Sequence, residues 1–252
     1  KPTSALQQMG SVAQRAANYI ISSLATFVSF RMVINYIRTG VGYVQQLDTA
    51  LAQLQVVTGQ SSSALKEAED RARSIGDAIG STTTEVLNSA TDWARLGYSM
   101  SDSLTLAQKS AELAKTGFMD VATATEQMTS AIQAFYGAKI SKGLVSVDDA
   151  ASHINDELVQ IGNNMPITSQ GLGDALERSA GSLVAAGNTL EESVALISTA
   201  NSTIQNPESV GNALKTVSMR LRGTKVSDIS NELNEDVSDD FKNAAHDASK
   251  LY

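Results

Sequence analysis

Helix starts and stops recur along this chain so regularly that they leave little room for any other fold. Thr82 with Glu85, Ser146 with Asp149 and Thr189 with Glu192 each place a hydroxyl three residues ahead of a carboxylate. In such a capping box each group satisfies an orphan N–H of the first helical turn. Glycines stand where the apolar runs stop, at Gly59, Gly80, Gly97, Gly117, Gly137, Gly162 and Gly187. Between these marks the apolar residues return every three or four positions, the period of a helix with one buried face. Aromatics are few, alanine, serine and threonine are abundant, and the whole chain holds three prolines. The predicted fold class is therefore all-α, with thin interfaces between small side chains.

The first segment, residues 1–59, reads as one long helix with a coiled-coil-like stripe. Ile20, Leu24, Phe27, Phe30, Ile34, Ile37, Val41, Val44, Leu47, Leu51 and Leu54 follow one another by threes and fours. Their mean step, about 3.4, is nearer a coiled-coil seam than a broad globular face. They are the expected packing stripe of an oligomer. Within the stripe, residues 16–30 carry no charge, and Tyr19, Ile20, Ile21, Phe27, Val28 and Phe30 form a candidate membrane contact. A span needs about 20 apolar residues. Asn18, Ser22, Ser23 and Thr26 interrupt this run and Arg31 closes it, so the packed stripe is the simpler reading.

Two loosely repeated helical units are expected next, over 60–145 and 146–222. Shifting the first by 90 residues lays Gly97 on Gly187, Ala90 on Ala180 and Leu104 on Val194. Helices are predicted over 64–79, from Thr82 to Gly97, over 101–116, 120–136, 146–161, from Thr168 to Gly187, and over 190–204. Residues 139–146 are expected to be an irregular connector. The last helix of the second unit opens at Asn206-Pro207, proline being tolerated at a first helical position. Val210, Leu214, Val217 and Leu221 are expected on its buried face, and Arg220 and Arg222 suit its C-terminal dipole ahead of Gly223. Residues 223–252 carry seven acidic and three basic side chains, with Ile229, Leu233, Val237 and Phe241 every four residues, a linker or a helix ordered in an assembly. Arg220 and Arg222 are candidates for holding this acidic segment or a neighbouring copy.

Charge and residue types narrow the chemistry. The net charge is −8, and residues 1–60 hold four basic side chains against one acidic, so the remainder carries −11. That balance opposes nucleic-acid binding through a basic face. There is no cysteine, which removes thiolate catalysis, disulfides and cysteine-bound metal. The two histidines are His153 and His246. His153 with Glu157 is a helical i, i+4 pair without the second histidine of a zinc-protease motif, and reads as a solvated pair. Gly171-Leu-Gly173-Asp lacks the third glycine and preceding strand of a dinucleotide loop, and reads as a flexible helix entry. Asp148-Asp149 and Asp239-Asp240 lack the alternating register of a calcium loop. No catalytic, metal-binding or cofactor-binding residue is expected.

The stretches ALERSAGSLVAAGNTLEESVALISTAN (175–201) and NPESVGNALKTVSMRLRGTK (206–225) resemble the core region shared by phage tail tape measure proteins, especially of phages infecting Gram-positive bacteria. Residues 47–65, 81–117 and NELNEDV at 231–237 resemble the same family, so the likeness spans about residues 44–250. It implies a mostly helical chain inside the tail tube that sets tail length during assembly and is expelled ahead of the DNA. It also implies self-association, most simply as a trimer, with tail tube and distal tail proteins as partners and the host membrane as a contact on ejection. Tape measures are usually much longer than 252 residues, so a segment of a longer chain is expected. The alternatives from other classes are a membrane-active pore former and a cytosolic helical adaptor.

Overall fold

The computed structural model describes the backbone of residues 42–223 and the side chains of residues 42–220. The chain divides into two units at Thr49 and Ala50. In the first, residues 42–49 are helical, and Thr49 turns its hydroxyl back to the Gln45 carbonyl at 2.8 Å. The helical residues 42–58 are named α1. Among the described residues the structure is helical throughout, without a strand, as the periodicity predicts.

In the second unit α1 ends at Gly59, whose N–H still reaches the Gln55 carbonyl at 2.8 Å and whose φ of +63° turns the following chain out of the helix. Then follow α2 (Ser62–Ile79), α3 (Thr83–Arg95), α4 (Met100–Thr116) and α5 (Val121–Ala131). A π-helical turn over Ile132–Tyr136 leads into α6 (Gly137–Ser141). The remainder is α7 (Val147–Asn164), α8 (Ser169–Ala185), α9 (Leu190–Ile204) and α10 (Pro207–Gly223).

The caps are local chemistry and fall where expected. Thr82 and Glu85 close a reciprocal box, with backbone N–H bonds of 2.7 and 3.2 Å. Thr189 and Glu192 do the same at 2.8 and 3.3 Å. Ser146 caps α7 by accepting the Asp149 N–H at 3.0 Å, but the Asp149 carboxylate takes the serine hydroxyl instead of reaching the cap N–H. Aspartate is one methylene shorter than the glutamate a box needs. The Asn206 side chain accepts the Ser209 N–H at 2.9 Å and starts α10.

Two expected stops are not stops. Gly137 lies inside continuous helix, because the π turn absorbs an extra residue and the chain stays helical to Ser141. Part of the expected connector over 139–146 is thus helix, and the left-handed turn falls later, at Gly143. Gly162 likewise sits within α7, where an added Cβ would lie 2.6 Å from the Ser169 amide nitrogen. It is there to let α8 start against α7.

The core is built from Leu87, Trp93, Leu106, Leu113, Met128, Ile132, Ile154, Leu158, Leu172, Leu176 and Leu183, all sealed from solvent, with alanines between them. Trp93 lies among α3 and α4, its indole N–H donating to the Ser110 hydroxyl at 3.4 Å. α4 packs on α3, α5 and α7, α5 packs on α8, and α8 makes its most extensive contact with α10. That last contact is backbone on backbone, since a Cβ at Gly211 would lie 2.6 Å from the Ala175 carbonyl oxygen. Gly171 and Gly173 play the same part on the first turns of α8. The former leaves room for Pro207, and the latter for the Gln127 side chain, whose amide donates to the Gln170 carbonyl and the Asp174 carboxylate at 3.0 and 2.8 Å. These glycines are seats for neighbouring elements rather than a flexible entry.

Candidate interaction surfaces

Four helix corners meet at one end of the second unit. The Lys115 ammonium donates to the Ile79 carbonyl, joining the end of α4 to the α2–α3 corner. Gly117 and Gly162 both abut Ser169, joining the α4–α5 and α7–α8 corners. The Asn201 amide donates to the Pro166 carbonyl at 3.1 Å, which brings in the α9–α10 corner. Phe118, Met165 and Ile204 stand exposed here at 92%, 39% and 51%.

Phe118 and Gln205 are, among the described residues, the non-glycine positions with positive φ, at 55° and 53°. Each occupies the site just past a helix where glycine usually sits. Glycine does precede Phe118, but Gly117 keeps right-handed geometry at φ −89°. Its missing Cβ leaves room for Ser169 of α8, whose Cβ an added methyl would meet at 3.3 Å, and the left-handed step falls on Phe118. A glycine whose reason is a tertiary contact carries no local mark of it, which is why the sequence places the stop at Gly117 and overlooks Phe118.

A polar cluster joins α7, α9 and the π turn. His153 Nε2 lies 2.8 Å from Glu191 Oε1 and edge-on to Tyr136, centroids 6.2 Å apart. Glu157, the expected helical partner of His153, is the secondary neighbour. Burial pushes the Tyr136 phenol up to about 12, helped by the Glu191 and Glu157 charges. Burial likewise raises the Glu157 carboxyl, opposed by His153 and reinforced by Glu191 and Asp156. For Glu191 burial raises the value too, but its own backbone N–H, the Thr189 hydroxyl and His153 prevail and hold it below normal. The arrangement fastens α7 to α9. Among the described residues no group of three or more histidine or acidic side chains is placed to hold a metal ion.

Of the expected oligomer stripe, Ile20, Leu24, Phe27, Ile34, Ile37 and Val41 lie outside the described residues. Val44 is 54% exposed, Leu47 and Leu51 are half-buried and Leu54 is fully buried. The candidate membrane contacts Tyr19, Ile20, Ile21, Phe27, Val28 and Phe30 also lie outside. Among the described residues no helix is long and apolar enough to cross a membrane.

On α10 the buried face differs from the expected one. Val210, Gly211 and Ser218 are buried, Leu214 is half-buried and Val217 is 51% exposed. The backbone seat of Gly211 on Ala175 sets the rotation of the helix, and 211, 214 and 218 follow it inward by helical spacing. Arg220 is exposed. Arg222 is helical, and the acidic segment it was expected to hold lies outside the described residues.

No solved structure matches the chain. A family model described as phage-related minor tail protein matches residues 69–251, from α2 through α10 and beyond. With most of its length inside that match, this all-helical chain belongs to the phage-related minor tail protein family.

Proposed function

We propose that this chain is a segment of a tail tape measure protein, of the kind made by phages that infect Gram-positive bacteria. In this reading it lies in the lumen of the tail tube, sets tail length during assembly and leaves ahead of the DNA on infection. Membership of the minor tail family makes it a structural protein of the phage tail. The observation that carries the finer reading is the tape measure resemblance of residues 175–201, in α8 and α9, and 206–225, which take in α10; the backbone seat of Gly211 on Ala175 holds α10 against α8.

The physics suits the role. A helix advances 1.5 Å per residue, so helical chain length converts directly into distance. An acidic surface discourages adhesion to the DNA that must follow through the same tube. The glycine turns at Gly97 and Gly187, with φ of 92° and 99°, fold the helices back on themselves. They favour a compact plug toward one end of the tail, with the ruler supplied elsewhere, including the helix predicted from sequence over residues 12–57. Copies associate through the stripe that begins at Ile20, as a trimer, and meet the tube and distal tail proteins.

The test is tail length. Inserting four heptads into the helix predicted from sequence over residues 12–57 should lengthen assembled tails by about 42 Å, at 1.5 Å per residue. Tails of unchanged length, seen by electron microscopy, would overturn the ruler and leave family membership intact.

A further inference from the structure

The helices α2 to α5 and α7 to α10 are two sets of four built on one plan. In each set the first helix packs on the second and third, the second on the third and fourth, and the third on the fourth. Adding 86 to a residue number carries one set onto the other at both ends. Gly76 and Gly162 lie close against Thr83 and Ser169, the first residues of the second helices, behind the caps Thr82 and Thr168. Asp120 and Asn206 cap the fourth helices. The hydroxyls of Ser89 and Thr125 meet at 2.8 Å where Ala175 and Gly211 meet backbone to backbone. Between these points α8 has 17 residues against 13 in α3, so the offset is 90 at Ser99 and Thr189, the caps of the third helices.

The sets differ in what covers their third and fourth helices. In the first, α7 lies on α4 and α8 on α5. Lys109 marks the flank of α4 that α7 covers, its carbonyl accepting the Asn155 amide at 3.0 Å and its ammonium 3.5 Å from Asp148. Leu106 and Leu113, three before it and four after, are sealed. Gln127, which reaches Gln170 and Asp174, marks the flank of α5 that α8 covers, and Ala131 is sealed four residues on. The second set lacks that cover. Leu196, in the place of Leu106, is half-buried, and Thr199 and Thr203, in those of Lys109 and Leu113, are exposed. Ala213 stands exposed for Gln127, and Val217, for Ala131, is 51% exposed.

These five side chains carry no charge in a chain of net charge −8, so two copies meet here without bringing like charges together. A flank that takes a pair of helices in the first set finds such a pair in its own copy, and self-pairing surfaces close about a two-fold axis. We propose that the outward flanks of α9 and α10, with Leu196, Thr199, Thr203, Ala213 and Val217, form a self-association surface covered by the same helix pair of a second copy. The surface is separate from the stripe that begins at Ile20 and does not depend on the tail-length reading.

Sedimentation of the full 252-residue chain should show an assembly whose mass halves when Leu196→Glu and Val217→Glu are combined. That factor of two is expected whatever copy number the stripe sets. Far-UV circular dichroism checks that the variant is folded; if it is not, Thr199→Lys with Thr203→Lys, at exposed positions, should halve the mass instead. Hydrogen exchange across residues 207–218 should slow as the parent protein is concentrated and stay unchanged in the folded variant. A mass that these substitutions leave as it was would overturn the proposal. So would parent exchange indifferent to concentration: if slow, another part of the same chain covers the face, and if fast, nothing does.

Discussion

Gly211 of α10 rests on Ala175 of α8 so closely that a methyl group at 211 would sit 2.6 Å from the Ala175 carbonyl oxygen and 2.9 Å from its Cα. Two backbones meet with no side chain between them.

Gly211→Ala should therefore destabilise the protein although alanine is the better helix former. Backbone atoms must move to admit the methyl, and overpacking of this kind costs about 1–3 kcal/mol. Gly181, also helical and on α8, has nothing within 4 Å of the same added atom. There alanine should stabilise by about 0.5–1 kcal/mol, the ordinary helix-interior difference. Urea unfolding of the two variants should move in opposite directions from the parent. Two shifts of the same sign would mean that the α8–α10 contact is not the close one described.

Phe118 is held at φ 55° with its ring 92% exposed. A side chain in that backbone region costs about 1–2 kcal/mol, and so little of this ring is covered that removing it loses almost no packing. Phe118→Gly should leave thermal stability unchanged or raise it, by up to about 1 kcal/mol after the greater freedom of glycine in the unfolded chain is counted. A marked fall in melting temperature would show that the ring packs against something.

Burial raises the Glu157 carboxyl in the folded protein, with His153 opposing and Glu191 and Asp156 assisting. A raised value means that folding favours the protonated form. Its contribution is fully present below the ordinary carboxylate range and is lost as pH rises through the raised value. At neutral pH the ionised Glu157 is thus a burden, and Glu157→Gln should be the more stable protein. The advantage should shrink as pH falls through the carboxylate range. Melting curves that stay parallel from mildly acidic to neutral pH would contradict this account.

What was legible in the sequence is what four neighbouring residues decide among themselves. Thr82 with Glu85, Thr189 with Glu192 and Asn206 ahead of Pro207 need nothing from elsewhere in the chain, and each starts its helix as read. Glycines were ambiguous, because a glycine that frees φ and one that makes room look alike. Gly97 and Gly187 are of the first kind, Gly162, Gly171 and Gly211 of the second. The buried face of α10 was misread for a related reason. Hydrophobicity favours Val217, but the interface is set by the smallest side chains, so Ser218 is buried and the valine is not. Likewise the partner of His153 is Glu191, 38 residues away on another helix.

The π turn over Ile132–Tyr136 is one residue longer than an α-helical turn would be. Since each helical residue advances the chain by about 100° of rotation, this extra residue resets the angular phase of everything after it. The face of α5 that holds Met128 and Ile132 in the core is not the face that α6 continues. Deleting one residue there would leave an unbroken helix of nearly the same length, turned by more than a quarter of a revolution. Tyr136 would then swing away from His153, and the α6–α7 connection would have to begin from the wrong side.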